Sequence, residues 1–382
     1  MPQFAGGKIE AYAGPAHLGA ANDLEAVLVD FIDKAKSSLF VAVQELDSEP
    51  IAQAIIDARW RGVTVRMILE QDYIASDALP RAAPRQGETQ AEAIWRVQWS
   101  EYRRPKTART NRDILAALLR NAVDVKADYN PKIFHQKFIV RDYSGKTRKT
   151  SSVLTGSTNF TRTGTHNNYN HIVIFNDYRI CRAYLQEFEE IRSGTFGELA
   201  SRKDSLPATY NLNGVPVRIL FSPDNAPELE IVKQMLKCSR RLDFSIFTFS
   251  GSSGIDDAMA VLRAAGREIR GVFDPGQGRR DWAATHWLHD VGIEVVLPRR
   301  EAGFGKLHHK LMVIDDAIVV GGSFNYTQPA NDYNDENIFV MGSPYDLPAG
   351  KGGPVDHGEC AAIAAFFRSA IDQIAAKSEP YH

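Results

Sequence analysis

Cysteine is scarce in this chain. Its three residues, Cys181, Cys238 and Cys360, are scattered and odd in number. Neither a disulfide framework nor a metal-ligand spacing can be built from them, and a reducing, cytoplasmic setting is expected. Long hydrophobic runs are missing too. No stretch approaches the roughly 18 apolar residues of a membrane span, so no stable membrane insertion is expected. The first residues, Met1 to Lys8, lack the apolar core of a secretion signal. Charge of one sign is also absent: 45 Lys and Arg oppose 47 Asp and Glu, a net charge of −2. A globally basic nucleic-acid binder is excluded, but a local basic stripe is not. No clustered carboxylates or histidines carry metal spacing, so neither a metal nor another cofactor is expected.

What is present is a constellation that occurs twice. Residues 135–142 read His-Gln-Lys-Phe-Ile-Val-Arg-Asp, and residues 308–315 read His-His-Lys-Leu-Met-Val-Ile-Asp. His135, Lys137 and Asp142 map onto His308, Lys310 and Asp315 by a single offset of 173 residues. Each copy leads to a small-residue turn with an asparagine: Gly156-Ser157-Thr158-Asn159 and Gly322-Ser323-Phe324-Asn325. Two positions apart on a strand, each His and Lys would share one face. The following strands, Ser152–Thr155 and Ile318–Gly321, would run into the turns that present Asn159 and Asn325. His309 falls on the opposite strand face from His308 and reads as a packing or surface residue. Asp142 and Asp315 stand at strand ends, where Asp commonly opens turns, and read as supporting residues.

A doubled His-x-Lys-x4-Asp followed by Gly-Ser-x-Asn resembles the phospholipase D superfamily, in which two such motifs meet at one active site. The longer second copy, through Asn334-Asp335-Glu336-Asn337, looks more like the bacterial nucleases of that superfamily than its lipases. The resemblance implies a metal-independent phosphodiesterase working through a phosphohistidine. Cleaving an anionic phosphodiester needs cations and donors on the phosphoryl oxygens, a nucleophile, and an acid for the leaving oxygen. Lys137 and Lys310 would supply the charge, Asn159 and Asn325 the neutral donors, and the two histidines the nucleophile and the acid. Ser157 and Ser323 would support the turns. A carboxylate downstream of each turn typically orients a histidine in this superfamily. Glu336 fits that place in the second half, whereas Asn170 occupies it in the first. Family habit makes His135 the nucleophile, with Asp177 as a carboxylate that could serve it. The charge argument, with Glu336 taken as the partner of His308, favours His308. The division of labour stays open at this point.

Periodicity divides the chain into two similar α/β halves. The helix-strand-helix-strand run 23–69 is echoed by 228–273. The expected fold is α/β: two α/β/α sandwich halves with mixed, largely parallel sheets, packed as a pseudo-twofold dimer within one chain. The halves would span 1–200 and 216–382, with a linker at 201–215 and an insertion at about 73–110. One chain would then hold one complete active site. Oligomerisation would not be needed for the chemistry. The insertion interleaves Trp95, Trp99 and Tyr102 with Arg103 and Arg104, which suits nucleic acid as well as a solvated loop. Lys146, Arg148 and Lys149 flank the first motif, and Arg299, Arg300 and Lys306 the second, as candidate phosphate contacts. Nucleic acid, DNA or RNA, is the expected substrate. A phospholipase or phosphatidyl transferase is the alternative, and an inert binding module is disfavoured because every His, Lys and Asn of both motifs is in place.

Overall fold

The computed structural model describes residues 2–71, 84–93, 96, 106–144, 149–202, 207–251, 253–348 and 353–382. In the first half, β1 (Gln3–Phe4), β2 (Ile9–Gly14), β3 (Ser38–Val43), β4 (Thr64–Leu69), β5 (Asp124–Ala127), β6 (Lys137–Arg141), β7 (Ser152–Gly156) and β8 (Asn170–Phe175) form one sheet. Its order is β1-β2-β8-β7-β6-β3-β4-β5. The second half contributes β9 (Thr209–Leu212), β10 (Val215–Ser222), β11 (Arg241–Ile246), β12 (Glu268–Phe273), β13 (Glu294–Pro298), β14 (Lys310–Ile314), β15 (Ile318–Gly322), β16 (Glu336–Met341) and β17 (Ser378–Pro380). Their order is β17-β13-β12-β11-β14-β15-β16-β10-β9. Read from β5 and from β13, the two sheets repeat the same eight-strand pattern.

Both sheets are mixed, with less parallel pairing than expected. The parallel pairs are β3 with β4, β4 with β5, β11 with β12, and β12 with β13. Every other ladder, including β6 with β7 and β14 with β15, is antiparallel. The reason is connection length. A helix crossover permits parallel pairing, whereas the short links after β6 and β14 can only make hairpins.

Alternation along the strands sorts side chains into three cores. Ile139 packs outward with Leu28, Phe31, Ile51 and Ile55 of the helices Leu24–Asp33 and Glu49–Trp60. Asp23 and Ser48 cap these two helices through backbone N–H groups. Met312 and Ile314 pack outward with Ile231, Ile255 and Met259 in the second half. Phe138, Val140, Leu311 and Val313 point inward to a shared core. The helices Tyr178–Ser193 and His357–Ala375 fill that core between the sheets. The halves are therefore joined by a common apolar layer, and the carboxyl ends of β3, β4, β11 and β12 converge where the two motifs begin. Such ends are where α/β sheets place their ligands. Cys181, Cys238 and Cys360 are buried and unpaired. Among the described residues, no helix is long and apolar enough to cross a membrane.

Candidate active site

Each histidine lies just ahead of its strand rather than within it, in an extended lead-in held from three sides. A backbone N–H from His135 donates to Asp335 O across a 3.0 Å contact, and one from His308 to Tyr169 O at 2.9 Å. Single bridges pair Phe134 with Asp335 and Tyr169 with Leu307. Each lead-in is thus strapped to the opposite half. Glu70 and Asp274, the residues directly after β4 and β12, accept the N–H of Phe134 (2.6 Å) and of Leu307 (3.0 Å). The sequence reading missed these two carboxylates, although aligning the repeated strands would have placed both at one position. The result is one chain in which the two imidazole rings stand 6.4 Å apart between centroids.

Strapping the lead-ins across the halves also exchanges their partners. His135 Nδ1 lies 2.7 Å from Glu336 Oε2. His308 Nδ1 lies 3.0 Å from Asn170 Oδ1 and 3.1 Å from the carbonyl of Ser157. Glu336 therefore serves the histidine of the other half, which corrects its assignment to His308. Asp177 is not near His135; it caps the helix Tyr178–Ser193 and pairs with Arg179. Oxygen atoms of a carboxylate or carbonyl only accept, so both Nδ1 atoms carry protons and both Nε2 atoms are left for chemistry. Ser323 Oγ donates to Glu336 Oε2 (2.6 Å), and Ser157 Oγ to Asn170 Oδ1 (2.7 Å). The two serines fix the two orienting groups in matching ways.

The rest of the constellation is symmetric. Lys137 Nζ donates to His135 O (2.8 Å) and Lys310 Nζ to His308 O (2.9 Å). Both ammonium groups are buried. The turns need glycine: Gly156 and Gly322 have φ of 149° and 143°, and a Cβ on either would sit 2.2 Å from a carbonyl oxygen of β8 or β16. Beyond them, the side-chain oxygens of Asn159 and Asn325 are buried without a hydrogen-bond partner. A buried polar atom left unpaired at matching places in both halves is what a site built for a polar ligand contains.

Burial dominates the electrostatics. It pushes the His135 imidazole down to about 4 against the opposing pull of Glu336, and the Lys137 ammonium down to about 7. His308 and Lys310 are also held well below their ordinary values, first by burial and then by neighbouring cations. Two lysines and two histidines face one another with too little negative charge among them. A phosphodiester anion would relieve this and draw protons back onto the site.

Other expected residues lie elsewhere. Asp142 and Asp315 do not support the catalytic groups, because β6 and β14 carry them a full strand length from the histidines. Asp142 Oδ1 accepts the N–H groups of Lys36 (2.9 Å) and Ser37 (2.7 Å). Asp315 does the same for Ser239 and Arg241. Both residues are left-handed, with φ of 53° and 48°. Their task is to lock the turns that precede β3 and β11. Asp142→Ala is therefore expected to lower stability by about 2–3 kcal/mol, the scale of charge-assisted bonds to a buried acceptor. Turnover by the folded protein should stay within a few-fold of normal; denaturant unfolding read beside kcat checks both.

His309 is a packing residue and not a surface one, since the other half covers the second strand face. It stacks on His171 with centroids 5.3 Å apart, and the corresponding place in the first half holds Gln136 bonded to Asn337 at 2.6 Å. Lys149, Arg299 and Arg300 are exposed, and Arg299 approaches Glu379. Lys306 is exposed and stands over the Phe247 ring, 5.3 Å from its centroid, beside His308. Arg103, Arg104, Lys146, Arg148 and the aromatics Trp95, Trp99 and Tyr102 lie outside the described residues.

A family model described as cardiolipin synthase, PLD-like domain, matches residues 28–192 and 231–347. The mitochondrial cardiolipin hydrolase of Chlamydomonas reinhardtii is 30% identical over 106 residues, 28% of this chain and 46% of that protein. The phospholipase D of Rickettsia conorii is 26% identical over 157 residues, 41% of this chain and 58% of that protein. The chain spans about half the length of the curated relatives it matches. Among solved structures, the phosphatidylserine synthase of Haemophilus influenzae has a TM-score of 0.65 at 13% identity, covering 98% of this chain and 87% of that one, a likeness of fold.

Proposed function

The chain belongs to the phospholipase D superfamily, and we propose that it is a metal-independent phosphodiesterase that cleaves nucleic acid through a phosphohistidine. The observation that carries this reading is the meeting of His135 and His308, rings 6.4 Å apart, between two buried lysines. His135 Nε2 attacks phosphorus, an N–P bond forms, and the bond to the leaving oxygen breaks. His308 Nε2 gives its proton to that oxygen. Water then attacks the phosphorus with His308 taking its proton, and the N–P bond breaks. Lys137, Lys310, Asn159 and Asn325 hold the non-bridging oxygens.

The exchanged partners support this order of roles. A phosphorylated imidazole with Nδ1 protonated is cationic, and Glu336 against His135 stabilises that charge. Asn170 against His308 cannot, so a proton on His308 is released readily, as an acid requires. Family habit and the charge argument thus agree once the pairing is seen to cross between halves. Both motifs come from one chain, so no second copy is needed for the chemistry.

A lipid phosphodiester is the second reading, favoured by the names of the relatives, cardiolipin hydrolase and phospholipase D. Incubation with labelled DNA, RNA and phospholipid vesicles in excess EDTA separates the two. Cleavage of nucleic acid is expected to survive chelation. Strict dependence on an added divalent cation would sink the mechanism, and turnover of lipid alone would sink the substrate assignment.

A further inference from the structure

The repeat that builds the site makes its departures from symmetry informative. After β3 the chain presents Gln44 and Glu45; after β11, at the corresponding place, it presents Phe247 and Thr248. The correspondence is fixed by the backbone. Gln44 N–H donates to Gln136 O and Phe247 N–H to His309 O, while Glu45 O accepts from Phe160 and Thr248 O from Tyr326.

The substitution changes the charge on the two sides of the cleft. On the His135 side, Lys137 has a side-chain oxygen from Gln44 (3.1 Å), and Glu336, Glu45 and Glu70 act on it. On the His308 side, Lys310 has the carbonyl of His308 and, instead of a side-chain oxygen, the Phe247 ring, 5.0 Å from its centroid. Lys306 stands over the same ring at 5.3 Å, and the ring lies 4.9 Å from that of His308. The orienting group there is neutral Asn170. The carboxylates acting on Lys310 are Glu336, which His135 and Ser323 engage, and Asp274, which accepts from the Leu307, Gly276 and Gln277 N–H groups. One wall of the cleft therefore sets the Gln44 oxygen, Glu45 and Glu70 against Lys137, and the other places an exposed ammonium and a buried one across an aromatic face.

We propose that Lys306, beside Phe247 at the rim, forms a subsite for a leaving group that itself carries a phosphate, as the strand end released from a polynucleotide does. This rests on the reading of His308 as the acid, which puts the leaving oxygen on that side. The phosphate one position beyond the scissile one meets Lys306, whose exposed position at the rim suits a group that departs after each turnover. A cationic leaving group such as choline or ethanolamine would have to join two ammonium groups already gathered at Phe247, and is selected against.

The test uses the full chain with the dinucleotide TpT, its two end-phosphorylated forms pTpT and TpTp, and bis(p-nitrophenyl) phosphate. The wild-type protein is expected to cleave one of the two phosphorylated forms about tenfold better in kcat/KM than TpT, the scale of one charge-assisted phosphate contact. Lys306→Gln should abolish that advantage. Lys34→Gln, which removes an equal charge from an exposed lysine paired with Asp30, should keep it. Lys306 is exposed, so its replacement leaves the cores intact. No advantage from either terminal phosphate, or an advantage undiminished in Lys306→Gln, overturns the subsite. Failure to hydrolyse bis(p-nitrophenyl) phosphate as well sinks the phosphodiesterase reading beneath it. Hydrolysis of cardiolipin vesicles with none of the thymidylates overturns the polynucleotide assignment.

Discussion

His308→Ala should lose natural-substrate turnover by about three to four orders of magnitude, the scale of general-acid catalysis. The first step should return on bis(p-nitrophenyl) phosphate, whose leaving group departs without a proton, as a burst of about one p-nitrophenol per protein. His135→Ala should fall at least as far and stay inactive on both substrates, because no leaving group replaces the atom that bonds phosphorus. Acid-labile phosphate should be trapped on His135 in the His308→Ala protein. Each half of the result depends on the partners seen in the site: Glu336 on His135, and Asn170 with the Ser157 carbonyl on His308. Rescue of His135→Ala alone, with phosphate trapped on His308, reverses the roles.

The second large effect is expected from the orienting groups themselves. Glu336→Gln keeps a hydrogen-bond acceptor but removes the charge that opposes burial of a cationic His135. Formation of the phosphohistidine should slow by about two to three orders of magnitude, the loss on removing one preorganised charge from a water-poor site. Asn170→Asp acts in the opposite sense on the other ring. A carboxylate 3.0 Å from His308 Nδ1 favours the protonated form and so raises a pKa that burial and the cations Lys310 and Lys137 now hold low. An acid acts only while protonated, so activity that falls as pH rises through that pKa should persist to higher pH. A pH profile of kcat for Asn170→Asp with an unmoved alkaline limb would show that His308 does not serve as the acid.

The site was legible in the chain wherever chemistry and local spacing coincide. His135, Lys137, Asn159 and their second-half counterparts could be named because the repeat places them at fixed offsets, and they meet in one cleft. The strand-helix-strand run and the hairpins of each half were legible from alternation. Who orients whom was not. Within one half, Glu336 is the natural partner of His308, and only the bridges from Phe134 to Asp335 and from Tyr169 to Leu307 assign it to His135. His309 shows the same limit: alternation gives its strand face but not what covers that face. The role of Asp142 was obscured because a motif gathers residues by sequence distance, while a strand separates its two ends in space.

The exchange of partners also has a consequence for inheritance. A duplicated gene usually lets one copy drift while the other keeps the work. Here a change at position 170 is felt by the histidine encoded at 308, and a change at 336 by the histidine encoded at 135. Neither half sets the hydrogen-bond partner of its own histidine's Nδ1; each receives that partner's side chain from the other. The expected linker 201–215 in fact contains β9 of the second sheet, and a fragment ending just before β9 would carry His135 without the group that orients it, its complement carrying His308 in the same state. The two repeats are in this sense one heritable unit, divisible in sequence and indivisible in chemistry.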